Sequence, residues 1–210
     1  MTHPYRAGAR LAGAMFLIAM AASLTGGILI VTAIDQADTL NEFLDHRPAL
    51  LTGVALEIVN ALAVLVIAAA LWTPLRHSST TAATAYLVIR VVEATVCAFA
   101  ALMPIAMLAL AEQDSTEGWA LNAFRDSLVG TGVPVFFGAG ALVLYAVLYR
   151  SGLVPAYIAI WGLIGAVGVL VNMFVTDDAI RPVLVLPIIT NEVFLGIYLL
   201  VKGFQPAATR

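Results

Sequence analysis

Cysteine, histidine and charge are all scarce in this sequence, and each shortage removes a class of function. Cys97 stands alone inside an apolar run, so neither an intramolecular disulfide nor a cysteine-based metal site can form. The three histidines, His3, His46 and His77, lie outside the long apolar runs, which excludes an intramembrane histidine pair for haem. No HExxH or comparable metal constellation occurs, and no serine or cysteine stands beside a base in a nucleophile arrangement. There is no phosphate-cradling glycine loop and no basic patch interleaved with aromatics, so no cofactor and no nucleic acid is expected as a partner. Charged residues make up 11% of the chain, where a soluble domain carries about a quarter.

What fills the sequence instead is hydrocarbon: 62% of residues are hydrophobic and the mean hydropathy is +1.00. The partner this implies is the lipid bilayer. Six apolar runs can be read, at about 11–33, 48–72, 81–111, 133–148, 154–175 and 182–201. Each is read as a membrane-spanning helix from its apolar length and continuity, because in lipid a segment must close its backbone hydrogen bonds on itself. Six spans of about 20 residues use roughly 120 residues, so residues 1–210 are expected to form a single all-α, polytopic domain. The first run contains Ala19-Met20-Ala21, which resembles a signal-peptidase site, but continues three turns further, predicting an uncleaved span.

Two loops carry helix-start signatures followed by apolar stripes. Thr39 and Glu42 have capping-box spacing ahead of Leu40, Phe43 and Leu44. Ser115 precedes Trp119, Leu121, Phe124 and Leu128, before Gly130, Gly132 and Pro134 signal a break. Both are expected to be short interfacial helices on the outer side. Orientation follows from Arg6, Arg10, Arg76, Arg150, Lys202 and Arg210, which share one side, against Arg47, Arg125 and Arg181 on the other. By the positive-inside tendency both termini are cytoplasmic. Asp35, Asp38, Glu42, Asp45, Glu112, Asp114, Glu117, Asp126, Asp177 and Asp178 all fall outside, where they are read as a solvated loop surface, the alternative being an acidic skirt that concentrates cations near an entrance.

Four ionisable residues lie within spans: Glu57, Arg90, Glu93 and Glu192. Each costs about 2.5–3.5 kcal/mol near a helix centre unless it is paired or hydrated. Counted from the starts of their apolar runs, Glu57, Arg90 and Glu192 all come out near the midplane, so the second, third and sixth spans are expected to meet along a polar seam. Spacing of three sets Glu93 beside Arg90, and Tyr86 and Cys97 extend the same face as supporting residues. Asn60 and Asn191 adjoin Glu57 and Glu192. Three carboxylates against one guanidinium leave an excess of negative charge, which calls for bound protons, a bound cation or a cationic ligand.

Arg90-Val-Val-Glu93 within a span, Leu148-Tyr149-Arg150-Ser151-Gly152-Leu153-Val154-Pro155 at a cytoplasmic turn, and Asn191-Glu192 followed by Lys202-Gly203-Phe204 resemble an uncharacterised bacterial family of six-span membrane proteins, domain of unknown function 4386. The resemblance covers essentially the whole chain. It implies a bacterial inner-membrane location and the same six-helix plan, and brings no catalytic residue, metal or cofactor with it.

From the residues themselves the leading expectation is a mid-membrane site formed by Glu57, Asn60, Arg90, Glu93, Asn191 and Glu192. It would bind a small polar or cationic ligand, or relay protons in transport. The alternative is an accessory membrane subunit whose charges only register the helices. An intramembrane enzyme acting on a lipid or quinone ranks third. The glycine-lined faces, such as Gly162, Gly165 and Gly168, suit helix packing and would also permit a homo-oligomer.

Overall fold

Backbone N–H and C=O groups find no partner in hydrocarbon, so an apolar run of this length must close its hydrogen bonds on itself. The computed structural model describes residues 5–37, 39–113 and 115–205, and among these there are eight α-helices, one π-helical turn and no strand. The helices are α1 (Arg6–Asp35), α2 (Leu40–Asp45), α3 (Arg47–Arg76), α4 (Thr80–Ala111), α5 (Gly118–Ser127), α6 (Val133–Ser151), α7 (Ala156–Asn172) and α8 (Arg181–Val201). Expectations resting on His3, Asp38, Asp114 and Arg210, and on the side chain of Leu40, fall outside the described residues. Five stretches are long and apolar enough to cross a membrane: α1, α3, α4, the rod Gly118–Ser151, and α8. At 17 residues, α7 reaches the lower end of the range of about 17–25 that spanning requires.

Local chemistry sets several helix ends. Thr39 Oγ1 accepts the Glu42 amide at 3.3 Å and Glu42 Oε2 accepts the Thr39 amide at 3.2 Å, closing the capping box that starts α2. Ser79 Oγ accepts the Ala82 amide at 3.2 Å and caps α4. Gly152, at φ 64°, ends α6 in the left-handed conformation, and Pro155 stands at the N-cap of α7. Pro48 and Pro182 occupy first turns, where no amide hydrogen is missed.

The segment after α4 departs from expectation in two ways. Ser115 does not cap the helix: its Oγ accepts the Glu117 amide, Glu117 takes the N-cap position, and the helix begins at Gly118. Nor do Gly130, Gly132 and Pro134 break it. Leu128–Gly132 widens into a π-turn that carries α5 straight into α6, and Pro134 falls in the first turn of α6. A wider turn accommodates a proline that supplies no amide hydrogen and needs room for its ring.

The long helices pack in a closed ring, α1 against α3, α4, α6, α7, α8 and back to α1. Backbones touch where glycine removes the side chain. A Cβ on Gly13 would lie 2.5 Å from the Gly196 carbonyl oxygen, and one on Gly26 would lie 2.9 Å from that of Gly53.

One core joins Ala9 of α1, Leu75 of α3, Leu148 of α6 and Phe204 beyond α8, so the ends that carry Arg6, Arg76, Arg150 and Lys202 are flush. This is the basic end. At the opposite, acidic end a second core joins Ile30, Phe43, Leu50 and Met107, with Trp119 and Leu121 packed against it, and Arg47 pairs with Glu112. Because α1 and α3 have 30 residues and α4 has 32, against 17 in α7 and 21 in α8, the long helices overhang the short ones there. The overhang is about ten residues, or roughly 15 Å at the helical rise. Both α2 and α5 pack within it against α4.

Candidate functional site

Arg90 is 2% exposed and supplies the only positive charge at mid-height of the ring among the described residues. Its Nη1 donates to both carboxylate oxygens of Glu93, at 2.8 and 2.7 Å, as the spacing of three on α4 allows. One turn in the other direction, Tyr86 Oη accepts from Arg90 Nε at 3.2 Å. The guanidinium carbon also lies 5.5 Å from the ring centres of Tyr86 and Phe137, so two aromatic faces share its charge. Glu192 reaches in from α8, with Oε1 3.8 Å from Arg90 Nη2, too far for a hydrogen bond. The two carboxylates are therefore not equivalent: Glu93 is clamped, whereas Glu192 has only Coulombic contact with Arg90.

These groups face a cavity of about 270 Å³ to which all six ring helices contribute. Arg90, Glu93 and Cys97 come from α4, Asn60 from α3, Glu192 from α8 and Asn172 from α7. Apolar walls, including Phe16 of α1 and Phe137 of α6, make up most of the remainder. Asn172 Oδ1 is buried without a hydrogen-bond partner, which leaves one more acceptor at this cavity unsatisfied. Among the described residues no three His, Cys, Asp or Glu side chains come together as a cation cage. What the arrangement can do is receive a positively charged group: one guanidinium faces two carboxylates in a low-dielectric space, which leaves a net −1 when all three are ionised.

The structure gathers Asn60, Arg90, Glu93 and Glu192, with Cys97 on the same wall and Tyr86 beneath, but excludes two residues expected with them. Glu57 is half-buried on α3 against Gly26 and Gly27 of α1, and does not line the cavity. Counting inward from Pro48 misjudged its depth, because α3 begins in the overhang. Arg47 and Glu112 are level, so Glu57, ten residues in from Arg47, stands far above Arg90, which is 21 residues back from Ala111. The difference is about 11 residues, or roughly 16 Å. The polar residues that the second, third and sixth apolar runs bring together at the cavity are Asn60, Arg90, Glu93 and Glu192; Glu57 stands above them beside Asn60 and within electrostatic reach of Cys97, so the lining charge is −1 rather than the −2 expected with Glu57 included. Asn191 turns away from the cavity as well: Nδ2 donates to the Ile158 carbonyl at 2.9 Å and ties α8 to α7.

Sequence reasoning also missed residues. Tyr145 is fully buried with an unpartnered Oη, and no pattern in the sequence signals it. Arg125, read as a charge on an outer loop, is 4% exposed on α5; its Nη1 lies 3.4 Å from Asp126 Oδ1 and its Nε has no partner. It is within electrostatic reach of Glu57. The available signal was its register, since Arg125 falls between Leu121 and Leu128 on the apolar stripe.

No curated protein and no solved structure matches this chain. A family model does, over residues 11–203, and it covers all or most of every helix of the ring and every cavity residue named above. The chain belongs to the family described as Domain of unknown function (DUF4386).

Proposed function

We propose that the protein crosses a bacterial plasma membrane six times, as one domain with both termini in the cytoplasm, and that its ring of helices binds a small ligand carrying a positive charge beside Glu192. The topology rests on the charge partition. Arg6, Arg10, Arg76, Arg150 and Lys202 gather at the basic end, and Asp35, Glu112, Glu117, Asp177 and Asp178 at the acidic end, so the basic end faces the cytoplasm. With that orientation α2 and α5 lie on the outer side, α2 at the interface and α5 as the outer extension of the fourth span.

The ligand reading is carried by one observation: Glu192 lies at a cavity wall 3.8 Å from a guanidinium already committed to Glu93. A carboxylate held without a hydrogen bond in a mostly apolar cavity is costly, and a cationic group beside it offsets that cost. A proton on Glu192 would neutralise the cavity equally well, and the test separates the two. Tetramethylammonium titrated calorimetrically into protein in lipid nanodiscs is expected to bind saturably, and Glu192→Gln to weaken binding at least tenfold without lowering the unfolding midpoint. Absence of saturable binding to the unsubstituted protein, or equal binding by Glu192→Gln, overturns the ligand reading.

A further inference from the structure

Helix α1 presents one continuous stripe, Gly13, Leu17, Met20, Leu24 and Ile28, at spacings of three and four. The part nearer the basic end is pressed onto α8. A Cβ on Gly13 would lie 2.5 Å from the Gly196 carbonyl oxygen and 2.8 Å from the Leu200 nitrogen, and one on Gly196 would lie 3.2 Å from Leu17 Cγ. Above Leu17 the same stripe loses its partner: Leu24 is 50% exposed and Ile28 65%.

The two helices diverge because each is drawn to its other neighbour. Toward the acidic end α1 closes on α3, where a Cβ on Gly26 would meet the Gly53 carbonyl oxygen at 2.9 Å. There α8 closes on α7, where a Cβ on Gly165 would meet the Ile188 nitrogen at 2.7 Å. Leu24 both lines the cavity and is 50% exposed, which marks a slot through the wall of the ring between α1 and α8. Its edges also line the cavity: Met20, Ser23 and Leu24 from α1, Val185 and Ile189 from α8. Apart from Ser23 these edges are apolar.

We infer that the ligand is a cationic single-chain amphiphile, its head beside Glu192 and its chain lying in the slot between α1 and α8, where it meets the lipid. The inference rests on the reading that Glu192 receives a positive charge. Size points the same way: about 270 Å³ is smaller than the roughly 300–1,000 Å³ of pockets that enclose a drug-sized molecule, so the cavity takes a head group and little more. Charge sets the sign of that head, because two carboxylates against one guanidinium repel an anionic phosphate and attract an ammonium. The apolar slot edges then suit a hydrocarbon chain, which loses nothing by lying against them in place of lipid.

The test compares tetramethylammonium with octyltrimethylammonium on protein in nanodiscs, with empty nanodiscs subtracted to remove partitioning into the bilayer. The octyl compound is expected to bind at least tenfold more tightly. Leu24→Trp, on the lipid-facing stripe where the fold should tolerate it, and Ile189→Trp on the opposite edge should each bring the ratio of the two affinities close to one, whatever either does to tetramethylammonium alone. Glu192→Gln should weaken both compounds. Should the two bind alike, or should both tryptophan variants retain the chain-length advantage while Glu192→Gln still weakens tetramethylammonium, the slot inference fails and the cation site stands. Should Glu192→Gln weaken neither, the underlying reading fails with it.

Discussion

Glu93 and Glu192 share a cavity and a guanidinium, yet their bonding assigns them different work. Glu93 takes both hydrogen bonds of Arg90 Nη1 and is 3% exposed, so the pair behaves as a buried salt bridge. Removing one partner of such a pair leaves an uncompensated charge and typically costs about 3–5 kcal/mol. Arg90→Met is therefore expected to lower unfolding stability by about that amount, and Arg90→Met with Glu93→Met to recover most of it, both read from denaturation in detergent. Glu192→Gln, which breaks no hydrogen bond, should cost less than about 1 kcal/mol on the same measure. A cost for Glu192→Gln equal to that of Glu93→Gln would make both carboxylates structural. The Arg90–Glu93 contact was legible in the sequence because three residues on a helix is a local distance. The place of Glu57 was not, because depth depends on where a helix end stands relative to its neighbours.

At the scale of the element, the glycines decide which helices touch and at what height. Gly13 meets the backbone of α8, and Gly26 meets that of α3, so α1 closes on a neighbouring backbone on each side. A side chain at either crossing must push two backbones apart, and overpacking of this kind costs about 1–3 kcal/mol. Gly13→Leu is expected to lower the unfolding midpoint, whereas Gly130→Ala, where nothing lies within 4 Å of the added atom, should leave it nearly unchanged. Comparable losses at the two positions would show that the α1–α8 crossing contributes no specific packing. Element existence could be read from apolar length, and the start of α2 from Thr39 and Glu42. The continuity of α5 into α6 could not, since Gly130, Gly132 and Pro134 are breakers by propensity, and their accommodation in a π-turn depends on α4 packing alongside.

For the whole molecule, the decisive feature is that six helices close a ring around a space instead of packing solid. The partition of charge between the two ends was plain from the sequence. Ring order and overhang were not, because spans of similar hydropathy carry no label saying which is whose neighbour. The ring brings residues from six separate helices to one cavity, and it leaves the only cysteine of the chain on the cavity wall beside the charges.

That cysteine allows the site to be read without adding a probe residue. In nanodiscs, Cys97 should react with the cationic reagent 2-(trimethylammonio)ethyl methanethiosulfonate at least tenfold faster than with the anionic 2-sulfonatoethyl analogue, once each rate is normalised to a free thiol. Glu192→Gln should lower that ratio, leaving the share that Glu93 and Glu57 contribute at Cys97, and tetramethylammonium should slow the cationic reaction. Equal rates in the unsubstituted protein, or a ratio that Glu192→Gln leaves unchanged, would contradict a cavity that selects positive charge through Glu192.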